Sequence, residues 1–268
     1  MKYAVITGAM GGLAKATIER LIKENYYVFA LDLNDKVEAE YNNDKSMGIK
    51  CDITSDESVN QTVDKITTIT DKIDVVINFA GVVLLGSVIE ENVSKLEKIL
   101  NVNVVGMYRV NKALFNHVLN GKGRYINISS EYGTLDAVPF HSFYTLSKHA
   151  VEIYNDSLRR ELLRFNIPVV KIRPGSFKTN MQGGVMGQFE TLVSTTKHYK
   201  VPLNKMKHIM TKELDKAIGP KRFVKVIMKA VTKRRPKYFY NVHRSFKMRL
   251  LSSLPDRLQD FIYSVYFK

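Results

Sequence analysis

The chain has 268 residues, 45% of them hydrophobic and 25% charged, which is the composition of an ordinary globular protein long enough to bury a full core. Cys51 is the only cysteine, which excludes a disulfide or a cysteine-built metal site within one chain, so we predict no metal centre. The net charge is +15, and no run approaches the ~18 apolar residues that a membrane span requires.

A nucleotide site is predicted at the start of the chain. Tyr3–Thr7 is a short apolar run typical of a strand, and the turn Gly8-Ala-Met-Gly-Gly-Leu-Ala14 follows at once. A helical pattern then begins at Leu13 and continues to about Glu24. Glycines let the backbone approach a pyrophosphate, and a helix N-terminus offers free N–H groups and a positive dipole end. Strand, glycine turn and helix in this order predict a phosphate-binding unit.

The second predicted strand, Tyr26–Leu31, is followed directly by Asp32. A carboxylate in this place can accept hydrogen bonds from ribose hydroxyls and would repel a 2′-phosphate. No Arg or Lys lies inside the glycine turn to offset that repulsion. Asp32 therefore favours NAD over NADP. The alternative interpretation is a strand-end acid that caps the following turn.

Two more predicted strands end in small or polar residues. Met47–Cys51 leads to Asp52-Ile-Thr54, after which Ser55 is placed to cap a helix. Ile73–Ile77 is continuous enough to be buried on both sides, as parallel strands are. It ends in Asn78-Phe-Ala-Gly81. Because α/β sheets bind ligands at the carboxyl ends of their strands, these residues are candidates for the same site.

The middle of the chain carries a tyrosine and a lysine at helical spacing. Tyr144 and Lys148 are four residues apart, which places them one turn from each other on one helix face. A neighbouring ammonium favours phenolate and lowers a pKa that is ordinarily about 10. Such a tyrosine can exchange a proton with an alcohol near neutral pH. A strand over 124–130, ending in Ser129 and Ser130, precedes this helix.

Other polar residues in the middle of the chain have two interpretations each. Asn103 lies in a long helical stretch from about 91 to 119, where a local structural role is the alternative to a functional one. Phe140, His141 and Phe143 precede the tyrosine and could face a substrate. The alternative for the histidine is an exposed side chain without a role. Glu131, directly after the serines, stays undecided.

The last third begins with a predicted sixth strand, Ile167–Ile172, which leads into Arg173-Pro174-Gly175. Residues 176 to about 215 are weakly patterned, and a long loop beside a site is usually a functional lid. A helix over 221–232 and a seventh strand over 238–242 follow. Two short amphipathic helices, 246–251 and 255 to about 266, complete the chain, and Leu258, Phe261, Ile262 and Val265 fall on one face of the second.

The positive charge is concentrated in this last part. Residues 200–268 contain 18 Lys+Arg against 4 Asp+Glu, whereas the first 199 residues contain 23 and 22. The asymmetry indicates an acidic partner or surface, with solvated helix faces as the alternative. The basic amphipathic tail, about 233–268, can lie on an anionic membrane surface or pack on its own domain or a partner subunit. Nucleic acid is not favoured as a partner, since the aromatic residues there fit packing as well as base stacking.

Together these motifs resemble the short-chain dehydrogenase/reductase family, in its short single-domain branch. The resemblance covers about residues 2 to 180. It is carried, in family order, by the Thr7–Ala14 turn, Asp52, Asn78-Phe-Ala-Gly81, Asn103, Ser130, Tyr144, Lys148, Pro174-Gly175 and Thr179. The turn can also be read with the Gly8-x-x-Gly11-x-x-Ala14 spacing of the long epimerase-like branch, which chain length and Asn103 disfavour.

The resemblance implies a role for each matching position. Tyr144 would be the catalytic acid/base, and Lys148 would tune it and bind the nicotinamide ribose. Ser130, with Ser129 as the alternative, would hydrogen-bond the substrate oxygen, and Asn103 would hold a water of a proton relay. The implied cofactor-binding residues are Thr7, Gly8, Gly11, Gly12, Leu13, Asp32, Asp52, Ile53, Asn78, Ala80, Gly81, Tyr144, Lys148, Pro174, Gly175 and Thr179.

We therefore predict an α/β fold with a doubly wound parallel sheet (a Rossmann fold) of seven strands in the order 3-2-1-4-5-6-7, in one domain. The expected function is hydride transfer between NAD(H) and a secondary alcohol or ketone, with a hydrophobic, hydroxysteroid- or retinol-like substrate. The alternatives are an NADPH-dependent carbonyl or 3-oxoacyl reductase and a non-catalytic NAD-sensing module. A homodimer or homotetramer is the family expectation. The first residues are too short an apolar run for a signal peptide, so we expect a cytoplasmic protein.

Overall fold

The computed structural model describes residues 1–178 and 180–268, with the side chains of 180–182 left out. Its described residues form a seven-stranded sheet in the order β3-β2-β1-β4-β5-β6-β7, and every neighbouring pair is parallel. The predicted fold class and strand order are confirmed. The strands are β1 Lys2–Thr7, β2 Tyr26–Asp32, β3 Ser46–Lys50, β4 Val75–Asn78, β5 Arg124–Ile128, β6 Val169–Pro174 and β7 Phe239–Val242.

Helices cover both faces of this sheet. They are α1 Gly12–Lys23, α2 Val37–Glu40, α3 Asp56–Thr67, α4 Val93–Leu100, α5 Met107–Ala113, α6 Phe115–Asn120, α7 Ser142–Glu161, α8 Asn180–Thr195, α9 Lys200–Leu214, α10 Lys221–Thr232, α11 Phe246–Leu251 and α12 Asp256–Phe267. Ser55 caps α3 as predicted, because its Oγ accepts a hydrogen bond from the Ser58 amide at 3.2 Å. Within the described residues no helix combines the length and the apolar character needed to cross a bilayer.

The core consists of two layers, one on each face of the sheet. In β1, Ala4 and Ile6 pack in the layer that contains α1 and α10, whereas Val5 packs in the layer that contains α3 and α5. Successive side chains of a strand point to opposite faces, so a strand buried on both faces must be apolar at every position. That requirement explains the continuous apolar runs of the sequence.

The helix predicted over 91–119 is interrupted. A π-helical turn, Asn101–Gly106, lies between α4 and α5. A Cβ at Gly106 would stand 2.7 Å from Cδ1 of Ile53. The glycine thus allows the turn to lie against Ile53, and π-helical turns of this kind are frequent at functional sites.

The prediction of a long loop over 176–215 is wrong, because the described residues of this segment include the helices α8 and α9. Gly183, Gly184 and Gly187 lie within α8, and each glycine costs a helix about 1 kcal/mol relative to alanine. Tertiary packing offsets that cost. A third cluster of buried side chains joins both helices to the chain before α7, and consists of Leu85, Val138, Phe140, Val185, Phe189, Leu192, Leu203 and Met206.

Candidate active site

The polar residues singled out in the sequence converge on the carboxyl edge of the sheet. Thr7 at the end of β1 is in register with Asn78 at the end of β4, and Ile128 at the end of β5 is in register with Ile172. Ser130 follows β5 and caps the short 3₁₀ turn Glu131–Thr134. A parallel α/β sheet binds its ligands at this edge.

Tyr144 and Lys148 lie on the first turns of α7, close to this edge. The Lys148 Nζ is 5.7 Å from the centroid of the Tyr144 ring and donates a hydrogen bond to the carbonyl oxygen of Ile128 at 3.0 Å. The side chain of Lys148 is buried. Burial lowers its pKa to about 8, while the nearby carboxylate of Glu152 acts in the opposite direction.

The phenol of Tyr144 has a pKa raised to about 12. Burial is the main cause, the hydrogen bond with Ser130 lowers the pKa, and the charge of Glu131 raises it further. The expected lowering of this pKa by Lys148 is therefore not seen. Removing a phenolate from water costs more free energy than its hydrogen bond and neighbouring charges recover. The Lys148 ammonium donates its hydrogen bond to a backbone carbonyl instead.

The two candidate serines have different surroundings. Ser130 is the serine hydrogen-bonded to Tyr144, and its Oγ also accepts from the Tyr132 amide at 3.3 Å. Ser129 lies beside Glu152 instead. The geometry thus favours Ser130 over Ser129 as the group that would meet a substrate oxygen.

Asn103 ties the loop after β4 to α7. Its Oδ1 accepts from the Val82 amide at 2.7 Å, and its Nδ2 donates to the Val82 carbonyl and to the Ser147 Oγ, both at 2.9 Å. The side chain is fully buried. Both protons of the Asn103 side-chain amide are donated within the chain. A water in a proton relay would therefore have to bind to the backbone or side-chain carbonyl oxygen of Asn103. Ser147 was missed by the sequence reasoning, although it directly precedes Lys148.

The glycine turn is built for close approach of the backbone. Gly8 has φ 67°, and a Cβ there would stand 2.7 Å from the amide nitrogen of Ala80. Gly11 is the N-cap of α1 and supplies no side-chain cap, and Gly12 is the first residue of the helix. The first amide groups of α1 therefore remain available to an anion. Leu13 packs against the core layer beneath the turn.

Asp32 holds this turn in place. Its Oδ2 accepts from the Met10 amide at 2.9 Å and its Oδ1 from the Asn34 amide at 3.0 Å. The carboxylate is half-buried. The turn-capping interpretation of Asp32 is thus realised in the structure, and each oxygen keeps a second lone pair for a ribose hydroxyl.

Asp52 and Ile53 form the wall next to the π-helical turn. The Asp52 Oδ1 accepts from the amide of Thr54 at 2.8 Å and from its hydroxyl at 2.6 Å. The Ile53 carbonyl accepts from Arg109 Nη1 at 2.7 Å. Gly81 lies close to Asn103 of the π-helical turn, because a Cβ at Gly81 would be 3.1 Å from Asn103 Oδ1.

The side chain of Asn78 does not line the cleft, in contrast to the prediction. Its Nδ2 donates to Oδ1 of Asn111 at 2.7 Å and of Asn127 at 2.8 Å, and it is almost fully buried. Thr7 is also buried, and its hydroxyl accepts from the Ala80 amide at 3.2 Å. These two side chains fix the strand ends, and only their backbone can face a ligand. Nothing in the local sequence marks Asn111 and Asn127 as members of this network.

The other side of the site is formed by the end of β6. Pro174 is in register with Val242, and a Cβ at Gly175 would collide with the carbonyl oxygen of His243. The same Cβ would lie 3.1 Å from Oε1 of Glu131. Glu131 is buried, which raises its pKa, and it accepts from the Ser245 amide at 2.7 Å. Thr179, predicted to bind the cofactor, lies outside the described residues.

His141 is buried as well, so the exposed alternative for it is wrong. Its ring stacks on Tyr132, with centroids 5.4 Å apart and planes 6° apart. Burial lowers its pKa to about 4. The ring is therefore neutral at physiological pH, in the aromatic wall that continues through Tyr132 to Tyr144.

These residues fit a nicotinamide dinucleotide. The glycine turn, the uncapped N-terminus of α1 and the acceptor oxygens of Asp32 suit a pyrophosphate and a ribose. Tyr144, Ser130 and Lys148 lie together farther along the same sheet edge.

Comparison with known proteins agrees with this geometry. A family model described as short chain dehydrogenase matches residues 2–188. A 3-ketodihydrosphingosine reductase of Bacteroides thetaiotaomicron is 26% identical over 98% of this chain and 97% of its own length. An NADPH-dependent 3-dehydrocapnine reductase of Ornithobacterium rhinotracheale is 33% identical over 194 residues, which is 68% of each chain.

A solved structure has the same fold. A short-chain dehydrogenase/reductase from Burkholderia phymatum in complex with NAD gives a TM-score of 0.77 at 20% identity, over 90% of this chain and 89% of that one. The chain belongs to the short-chain dehydrogenase/reductase family and is an NAD(P)-dependent oxidoreductase of CH–OH and keto groups.

Proposed function

We propose that the protein reduces a ketone on a long apolar molecule, and catalyses the reverse oxidation of the secondary alcohol. The observation that carries this proposal is the Tyr144 phenol, hydrogen-bonded to Ser130 and lying beside the Lys148 ammonium. A nicotinamide cofactor, when bound, would supply the hydride. Two similar proteins are named as reductases of a 3-keto or 3-dehydro compound, which supports the direction and the substrate class.

The protein side chains would divide the remaining work. Ser130 would donate a hydrogen bond to the carbonyl oxygen, and Tyr144 would give that oxygen its proton. A pKa of about 12 keeps the phenol protonated at neutral pH, which suits reduction. Lys148 would hold the nicotinamide ribose through its ammonium group.

An apolar substrate is supported by the cluster that joins α8 and α9. Phe140, Phe189 and Leu203 are buried there. Gln188 fastens α8 to the loop after β4, since its Oε1 accepts from the Leu85 amide and its Nε2 donates to the Val83 carbonyl, both at 2.9 Å. We propose that residues 176–215 cover the substrate, with this buried apolar cluster holding α8 and α9 in place over the site.

Tyr144→Phe tests the catalytic assignment. Turnover of a long-chain 3-ketone should fall to background, while NAD(P)H binding, measured by the change in the fluorescence of the reduced nicotinamide, should stay near the wild-type value. Tyr108→Phe, on an exposed tyrosine outside the site, is the matched control. Surviving activity in Tyr144→Phe would refute the assignment, and a wild-type protein that binds NAD(P)H without turning over any ketone would favour the sensing module. Turnover of polyols alone would refute the apolar substrate.

We propose NAD(H) as the preferred cofactor because the carboxylate of Asp32 would repel a 2′-phosphate. The next residue, Leu33, is exposed and supplies no cation. The competing NADPH preference is favoured by the name of one relative. Values of kcat/KM for NADH and NADPH decide between them. Asp32→Asn keeps an acceptor oxygen for the turn and should raise the ratio of kcat/KM for NADPH to that for NADH, whereas Asp64→Asn, on an exposed carboxylate of α3, should not.

We also propose a cytoplasmic homodimer or homotetramer formed through the two middle helices. Val105 and Tyr108 on the α4–α5 side, and Leu146 and Ile153 on α7, are exposed apolar side chains. Light scattering after size exclusion should give a multiple of the chain mass, and Ile153→Asp should reduce it. A wild-type monomer would exclude this assembly.

A further inference from the structure

The last helix, α12, turns its polar face toward the protein and its apolar face outward, the reverse of what its amphipathic pattern leads one to expect. The inward face of α12 carries Gln259, whose Nε2 donates to Oδ2 of Asp136 at 2.7 Å and to the Leu254 carbonyl at 2.8 Å. Tyr266 joins α9, since its carbonyl accepts from Lys205 Nζ at 2.8 Å. Polar and aromatic groups thus fasten the helix to the protein.

The apolar face of α12 points outward. The exposed fractions are 43% for Leu258, 62% for Phe261, 37% for Ile262 and 60% for Val265. These residues recur at helical spacing and form one stripe. A folded monomer rarely exposes such a stripe unless something else covers it.

The preceding helix has the same arrangement. In α11, Met248 packs inward against the third cluster, whereas Phe246 is 73% exposed and Leu250 55%. The two helices therefore present six large apolar side chains to the outside. Their ends and flanks carry four exposed cations and two exposed carboxylates: Lys247, Arg249, Arg257 and Lys268, with Asp256 and Asp260.

We propose that α11 and α12 dock on an anionic lipid bilayer. Apolar side chains would enter the boundary between headgroups and acyl chains, and the flanking cations would meet the headgroup charge. Charge complementarity favours a bilayer over a second copy of the chain: residues 246–268 carry four Lys+Arg against two Asp+Glu, and the preceding residues 200–245 add 14 against 2. Two copies facing each other would both bring this net positive charge.

Docking would bring the proposed substrate cover to the bilayer. Phe267 at the end of α12 contacts Phe140, with ring centroids 6.0 Å apart. Phe140 also contacts Tyr199, the N-cap of α9, at 5.5 Å, and lies four residues before Tyr144. This part rests on the proposed function, since an apolar ketone would be taken directly from the lipid phase.

Vesicle co-sedimentation of the full chain tests the proposal. The protein should bind vesicles of phosphatidylcholine with phosphatidylglycerol, and bind pure phosphatidylcholine at least about tenfold more weakly. Phe261→Gln with Val265→Gln should weaken binding to the anionic vesicles by about tenfold or more. Leu163→Gln, on a residue after α7 that is exposed to the same 60% as Val265, should leave binding unchanged. Circular dichroism and melting temperature confirm that the variants are folded.

Failure of this proposal is separable from failure of the proposed function. Phe261→Gln with Val265→Gln should keep the wild-type kcat on a water-soluble ketone without vesicles, and Tyr144→Phe should bind vesicles like the wild type. Absence of vesicle binding, or equal binding by the double variant, would overturn the bilayer assignment. So would a wild-type dimer that the double variant converts to a monomer, because a second copy would then cover the face.

Discussion

Glu152→Gln should strongly destabilise the protein, because it removes a buried carboxylate that pairs with the partly buried Arg173 and with the buried Lys171, which keeps only the more exposed Asp156 of these two carboxylates. Oε1 of Glu152 accepts from Arg173 Nε at 2.9 Å, and Oε2 accepts from Arg173 Nη2 at 2.7 Å and from Lys171 Nζ at 2.9 Å. The side chains of Glu152 and Lys171 are only 8% and 6% exposed. Removing one member of a buried ion pair costs about 3–5 kcal/mol. At about 2–4 °C per kcal/mol, Tm should fall by roughly 6–20 °C.

Urea unfolding at pH 7 measures this loss, with Asp156→Asn as the matched control. Asp156 accepts from the same Lys171 Nζ at 2.9 Å, but its side chain is 35% exposed. The control should cost less than about 1 kcal/mol, as exposed ion pairs do. If Glu152→Gln costs no more than Asp156→Asn, the assumption that the buried charges determine the loss is refuted.

Glu152→Gln should also change the pH dependence of cofactor affinity. Burial lowers the pKa of Lys148 to about 8, and the charge of Glu152 opposes that effect. Without that charge, Lys148 should lose its proton at a lower pH. Dissociation constants for NADH, measured by fluorescence between pH 6 and 10, should then begin to rise at a lower pH than in the wild type. Identical pH profiles would show that Glu152 does not act on Lys148.

Three further changes test other parts of the site. Gly8→Ala places a Cβ 2.7 Å from the Ala80 amide nitrogen, at a φ of 67°. It should lower the free energy of unfolding by about 1–3 kcal/mol and weaken NADH binding. The control Gly183→Ala, whose added Cβ lies in open space within α8, should not destabilise the protein. Asn103→Ala leaves the Val82 amide and carbonyl unpaired and should cost at least about 1–3 kcal/mol in urea; an unchanged midpoint would contradict the buried network. His141 has a pKa lowered to about 4, so the unfolded chain takes up its proton first as the pH falls below about 6.5. The wild type should lose up to about 3 kcal/mol between pH 6.5 and 4 from this group, and His141→Phe should unfold with a weaker acid dependence; equal acid dependence would contradict the assignment.

The sheet and the place of the candidate site were predictable from the sequence for a physical reason. Parallel strands buried on both faces need continuous apolar runs, and helices between them show a different period. Ligands bind at the strand ends of such a sheet, so polar residues near those ends, such as Ser130, Tyr144 and Lys148, are candidates for the site. Each of these signals is local in the chain.

The remaining features depend on contacts that are distant in the sequence. The direction of the Asn78 side chain is decided by amides 33 and 49 residues away. The pKa of Tyr144 is decided by burial, which a spacing of four residues does not reveal. The pattern of α12 predicts an apolar stripe, but only the contacts of Gln259 and Tyr266 show that the stripe faces outward.

The exposed glycines of α8 have a consequence for how much the outer surface of this helix can change. Gly183, Gly184 and Gly187 have no neighbouring heavy atom within 4 Å of an added Cβ. Side chains could accumulate at these three positions without displacing the chain, and none of them belongs to the group around Tyr144. Single substitutions there should change the outer surface of α8 while leaving the packing around Tyr144 in place.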